Sequence, residues 1–278
     1  MPLYLGVDLA WGEGSPTRAA NETGLAAIAA DGTVVDAGWA RGIDEVERWL
    51  VQTASVGDVI AIDAPLVVSN PMGMRECERE VGRRYGRWKV SANASNLGLG
   101  WLAGVSLRRR LESAGFTRIS GTDAARDDIV QFFECYPYTA LVGAAELGYD
   151  VERPRYKRPN LALPVAERRA FRARQCDGLL ERLAALATAE TPLDLRSHPV
   201  TRDLLTTPSP LTDAAYKHRE DLIDATICAW TASLWAHHHL DRCQVLGADS
   251  EPDAEGRLAT IVAPARPEQR PEQWRQKR

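Results

Sequence analysis

LYLGVD at residues 3–8 and DVIAID at residues 58–63 decide the fold. Each is a short apolar run closing on an aspartate, Asp8 in the first and Asp63 in the second. Runs of this length read as buried strands. Ala64-Pro65 stops the second just past its acid, because proline cannot donate to a ladder. Both aspartates are therefore expected at strand carboxyl ends. Between them, residues 23–30 and 33–40 are β-leaning runs split by Asp31-Gly32, a hairpin signal. Residues 43–53 set Val46, Trp49 and Leu50 at helical spacing, with Asp44, Glu45 and Glu47 near the N-terminus, where the helix dipole favours negative charge.

Downstream, 129–135 is a third apolar strand carrying Glu134. Residues 165–188 and 213–239 read as long helices, and 243–247 with 257–263 as a closing hairpin. Antiparallel strands first, then strand–helix alternation, argue for a mixed-sheet α/β domain. One domain over 1–264, interrupted by an irregular Gly-, Asn-, Ser- and Arg-rich insertion at about 69–125, accounts for the pattern. Residues 265–278 hold almost no apolar side chain and read as a disordered tail.

Composition narrows the class. With 278 residues, 45% hydrophobic and 26% charged, the chain is an ordinary globule rather than a disordered one. It is long enough to fold without disulfides or a structural metal. No apolar run approaches the ~18–20 residues of a membrane span, and the first eight residues lack the charged start and apolar stretch of a signal peptide. Five cysteines, at 77, 135, 176, 228 and 243, form no CxxC pair. The expectation is reduced thiols in a cytoplasmic protein.

Asp8, Asp63 and Glu134 on apolar strands, with Asp221 and Asp224 on one face of the last long helix, are the candidate chemistry. A buried charge is costly unless paired or metal-bound. Any one of these acids is explained by a turn or an arginine partner; five together are not. Hard carboxylate oxygens suit Mg²⁺ or Mn²⁺ rather than zinc. Two such ions ~3.5–4 Å apart activate water and stabilise the leaving oxygen of a phosphodiester.

The net charge of −4 conceals two basic segments, each of net +6: 75–110 with nine Lys/Arg against three Glu, and 152–174 with eight against two. Such segments are either a polyanion footprint or solvated helix faces. Arg75 and Arg79, four apart, would face one way on a helix and clamp phosphate through planar guanidiniums. Tyr85, Trp88 and Trp101 lie among Arg83, Arg84, Arg87 and Lys89, where rings stack bases or simply fill a core. Lys157, in a proline-flanked loop, is placed to reach a scissile phosphate or only solvent. Cys77 reads as a packed residue rather than a nucleophile. His237-His238-His239 cannot converge on one ion, because successive helical residues point ~100° apart.

GVD at 6–8, IDAPL at 62–66, RECERE at 75–80, ECYP at 134–137 and REDLIDATICA at 219–229 together resemble a predicted-nuclease family, domain of unknown function 429. The resemblance runs from Leu3 to about Pro264. It implies an RNase H-like mixed five-stranded sheet flanked by helices. In RNase H-like nucleases a first-strand aspartate, an acid on a central strand and acids on the last helix hold two metal ions. Carried over, these are Asp8, Asp63, Asp221 and Asp224, with Glu134 a further metal ligand peculiar to the family motif. The expected function is a metal-dependent phosphodiester hydrolase acting on DNA or RNA, with Arg75, Arg79 and Lys157 on the phosphate. Two readings stay open beside it: an ATP-dependent phosphotransferase of the actin and sugar-kinase type, and a non-catalytic nucleic-acid-binding protein.

Overall fold

The computed structural model describes residues 2–14, 17, 19–158 and 160–270. Strands β1 (Leu3–Asp8), β2 (Glu22–Ala29) and β3 (Val34–Arg41) form an antiparallel set, joined between β2 and β3 across the expected Asp31-Gly32 turn. Helix α1 (Ile43–Thr53) leads to β4 (Val59–Ile62), which lies parallel to β1. Helices α2 (Glu76–Tyr85) and α3 (Ala103–Ser113) and the two-residue strand β5 (Thr117–Arg118) follow, then β6 (Gln131–Glu134), parallel to both β4 and β5. Helices α4 (Pro137–Gly143), α5 (Val165–Ala185), α6 (Pro199–Thr206) and α7 (Asp213–His238) precede an antiparallel hairpin, β7 (Cys243–Leu246) and β8 (Ile261–Pro264).

The main sheet runs β3-β2-β1-β4-β6-β5. It has six strands, not five, because the chain entering β6 is flanked by Thr117–Arg118 in parallel register. Both faces are covered. Leu5, Val7, Ile60, Ile62 and Phe132 pack against α1 and α3, while Ala61, Phe133 and Cys135 face a second core that includes α4, α5 and α7. The expected tail begins as folded chain: Arg266, nearly buried, donates to the Val142 carbonyl at 2.7 Å and pairs with Asp150 at 2.5 Å. Residues 271–278 lie outside the described residues. All five cysteines are free and buried, and no described helix is long and apolar enough to cross a membrane.

Two glycines set how closely α7 lies on the sheet. A Cβ on Gly6 would stand 2.0 Å from the Ala225 carbonyl oxygen and 2.2 Å from the Ala229 nitrogen. One on Gly24 would stand 2.0 Å from the Asp221 carbonyl oxygen. Helix backbone thus rests directly on strand backbone, which brings the acids of α7 down to Asp8. Gly6→Ala should lift α7 and cost toward the upper end of the ~1–3 kcal/mol typical of overpacking, read as a lower denaturant midpoint at constant m. A midpoint like that of the wild type would contradict this close packing.

Candidate functional site

Register brings the two strand-end aspartates together. Val7 pairs with Ile62 in the parallel ladder and the Asp63 amide donates to the Val7 carbonyl at 2.8 Å, so Asp8 and Asp63 leave neighbouring strands at one level. From α7, Asp224 meets them. Asp8, Asp63 and Asp224 each offer a carboxylate oxygen, and these oxygens lie within 4.8 Å of one another. Asp221, one helical turn before Asp224, is nearly buried beside Asp8.

Burial and mutual repulsion show in the protonation of the group. Burial, with the Asp8 charge, pushes the Asp221 carboxyl up to about 9. Burial likewise pushes Asp63 well above the carboxylate range and raises Asp224, with Lys157 opposing both shifts and Asp8 adding to them. Glu220 is raised to about 7, again chiefly by burial.

Two ammoniums offset part of this charge. Lys157 Nζ lies 2.5 Å from Asp224 Oδ2 and 3.8 Å from Asp63 Oδ2. Burial alone would lower the Lys157 ammonium, but Asp224 and Asp63 outweigh it and hold it well above the usual lysine range. Lys217 pairs with Asp221 and, at 3.2 Å, with Glu220. Tyr156, fully buried, donates its hydroxyl to Asp224 Oδ1 at 2.5 Å and so fixes that carboxylate's rotation. Five carboxyl groups face two ammoniums, and Asp224 Oδ2, buried, accepts no hydrogen bond from the described residues beyond its ion contact. An all-oxygen donor set of this kind fits a hard divalent cation.

Residues 6–251 match the family model described as "Protein of unknown function (DUF429)". The chain belongs to this family. No curated protein and no solved structure matches it. The matched region carries every acid of the cluster, from Asp8 to Asp224.

In this DUF429 protein several expected site residues stand elsewhere. Glu134 pairs in the ladder with Ile62, one position before Asp63. Its carboxylate is turned away from the clustered oxygens to Arg75, whose Nη2 and Nη1 grip it at 2.6 and 2.8 Å, while the Leu66 amide donates at 2.9 Å. Glu134 is not among the clustered ligands. Arg75 is correspondingly no phosphate clamp. It caps α2 from outside the helix, is almost fully buried, and spends its Nε on Glu78 at 2.8 Å. Arg79 is exposed and bonded to Glu76 and the Met74 carbonyl, so the two arginines do not share a face.

Arginines of the first basic segment are met by acids within it and from other parts of the chain. Arg83 pairs with Glu76, Arg87 with Glu268, and Arg110 with Asp44 and Glu47. Tyr85 and Trp88 are core side chains, as is Cys77, while Trp101 is half exposed. Lys157 does join the acids, as do Tyr156, Lys217 and Glu220, which the sequence reading passed over. Lys217, Glu220, Asp221 and Asp224 fall at i, i+3, i+4 and i+7, one helical face, and that spacing was the signal for two of them. Asp8, Asp63, Glu220 and Asp221 line a cleft of about 760 Å³ whose wall also includes Trp11, Tyr136, Arg153 and Arg158.

Proposed function

We propose that this DUF429 protein is a metal-dependent phosphodiester hydrolase, a nuclease with an RNase H-like arrangement of acids. The convergence of Asp8, Asp63 and Asp224 within 4.8 Å, with Asp8 and Asp63 facing a cleft and Asp224 buried behind them, carries the reading. Their sources are a first strand, a neighbouring central strand and the last long helix, which is the placement the RNase H-like resemblance implies. These three would hold Mg²⁺ or Mn²⁺, with Asp221 beside Asp8 as the fourth ligand candidate. Bound there, the ions would acidify a water and stabilise the leaving oxygen.

The chain's own groups have defined parts in this scheme. Tyr156 orients Asp224. Lys157, partly exposed, touches the acids and the cleft at once, the position from which an ammonium holds a substrate phosphate. The experiment is a panel of labelled single- and double-stranded DNA and RNA, incubated with Mg²⁺ or Mn²⁺ and with chelator. Cleavage is expected with metal and none with chelator. Intact substrates under every metal would overturn the reading, and stabilisation by ATP in their place would favour a phosphotransferase.

A further inference from the structure

A second hollow, about 330 Å³, adjoins the acid cleft, and Arg153 and Arg158 line both. Its wall holds Lys89, Arg153, Arg155 and Arg158 against Glu152, a net charge of +3. Lys89 and Arg155 both turn to Glu152, the latter at 3.6 Å. The two shared guanidiniums have no acid at all among the described residues. Arg153 donates to the Lys89 and Pro154 carbonyls and lies 4.2 Å over the Tyr138 ring. Arg158 is exposed and makes no hydrogen bond or ion pair to any described residue.

This contrasts with the basic segment 75–110, where Arg79, Arg83, Arg87 and Arg110 are each met by a carboxylate. Guanidiniums beside an acid cluster, yet aimed at neither it nor any other acid, are available to an external anion. A polyanion approaching Asp8 and Asp63 is repelled by them, and cations along its path offset that repulsion. Hollows of this size belong to the small-ligand range rather than to a broad duplex-binding face. Trp11 and Tyr136, half-buried on the cleft wall, offer ring faces to unstacked bases.

We infer that Arg153 and Arg158 form a phosphate-binding subsite for a single polynucleotide strand running from the acid cleft into the second hollow. The inference rests on the phosphodiester reading of the acid cleft and adds to it the form of the substrate and the residues that hold its backbone. Planar guanidiniums take phosphate oxygens through two parallel N–H donors, which suits backbone recognition without base preference.

The test measures binding of fluorescent oligo(dT) and oligo(U) 12-mers to full-length Asp8→Asn protein in Mg²⁺, so that turnover does not consume the probe. Arg158→Ala alone, at an exposed site, should leave the melting temperature unchanged and weaken binding about tenfold. It should also flatten the slope of log K against log salt by ~0.7, the single-strand value for one lost contact. Arg153→Ala with Arg158→Ala should flatten it by ~1.4. Arg79→Ala, whose partner is Glu76, should change neither quantity. Binding of either oligomer on these terms supports the subsite and ranks DNA against RNA. An unchanged slope in the double variant, or a 12-base-pair duplex that binds as tightly as the strand, overturns it. Arginine-dependent binding without any cleavage by the wild-type protein would sink the hydrolase reading alone. Metal-dependent cleavage with an unchanged KM in the double variant would sink this one alone.

Discussion

Asp8→Asn, Asp63→Asn and Asp224→Asn are each expected to cut metal-dependent cleavage by ~10²–10³-fold or more, the size of effect seen when one group stabilising transition-state charge is lost. They should also erase most of the stabilisation that metal confers. At metal concentrations of ~100 Kd, binding to the native state contributes ~2.7 kcal/mol. For a chain of this size that is a rise of roughly 5–10 °C in Tm. The variants should show little of it, because each replaces with a neutral amide one of three carboxylates whose oxygens lie within 4.8 Å of one another. Without metal the order reverses. Asp8→Asn removes a charge that repels Asp63, Asp221 and Asp224, and the variant should melt at or above the wild-type temperature in chelator.

The same repulsion predicts the pH dependence. Asp221 moves from an ordinary value of 3.8 to about 9 on folding, so the folded chain binds its proton more tightly than the unfolded chain. Its contribution to stability is full below about pH 4 and is lost as pH rises through about 9. Tm of the metal-free protein should therefore fall from pH 5 to pH 9, and Asp8→Asn should flatten that fall. A metal-induced shift equal in the wild type and all three variants would place the ion elsewhere.

What was legible in the sequence was whatever a local rule governs. Apolar runs closed by Asp8 and by Asp63-Ala64-Pro65 announced strand ends, Asp31-Gly32 announced the hairpin, and the spacing of Asp221 and Asp224 announced a shared helical face. What failed depended on distant partners. Glu134 sits in an apolar run like Asp63, and only the folded chain shows that its carboxylate is taken up by Arg75. The arginines of segment 75–110 counted as +6 along the chain, yet Asp44, Glu47 and Glu268, far away in sequence, answer several of them. Tyr156 precedes Lys157 in a loop without periodicity, so nothing local marked it as the partner of Asp224. Arg153 and Arg158 were visible as charge but not as unpaired charge, a property that exists only once the chain is folded. Strand β5, two residues long, falls below what an apolar run can signal.

Arg75→Ala should unfold the protein far more readily rather than weaken its hold on substrate. Arg75 and Glu134 have side chains only 3% and 4% exposed and are joined by two hydrogen bonds of 2.6 and 2.8 Å. Removing one member leaves the other charged and buried, which costs ~3–5 kcal/mol. That corresponds to a loss of roughly 10 °C or more in Tm. Replacing both with apolar side chains, Arg75→Met with Glu134→Leu, should cost less than Arg75→Ala alone, since Glu78 is then the one buried carboxylate left without the guanidinium, instead of Glu78 and Glu134 together. The pair also stands behind the site. Arg75 Nη1 donates to the Val67 carbonyl at 3.1 Å and Glu134 accepts from the Leu66 amide at 2.9 Å, so together they pin the segment that leaves Asp63. Any loss of cleavage in folded Arg75→Ala should accordingly fall on kcat, through a displaced Asp63, with KM little changed. Thermal unfolding combined with a kcat and KM measurement below the variant's Tm separates the two accounts. Wild-type stability with a raised KM would make Arg75 a phosphate clamp after all; a low Tm with KM intact makes it the buried brace of the acid cluster.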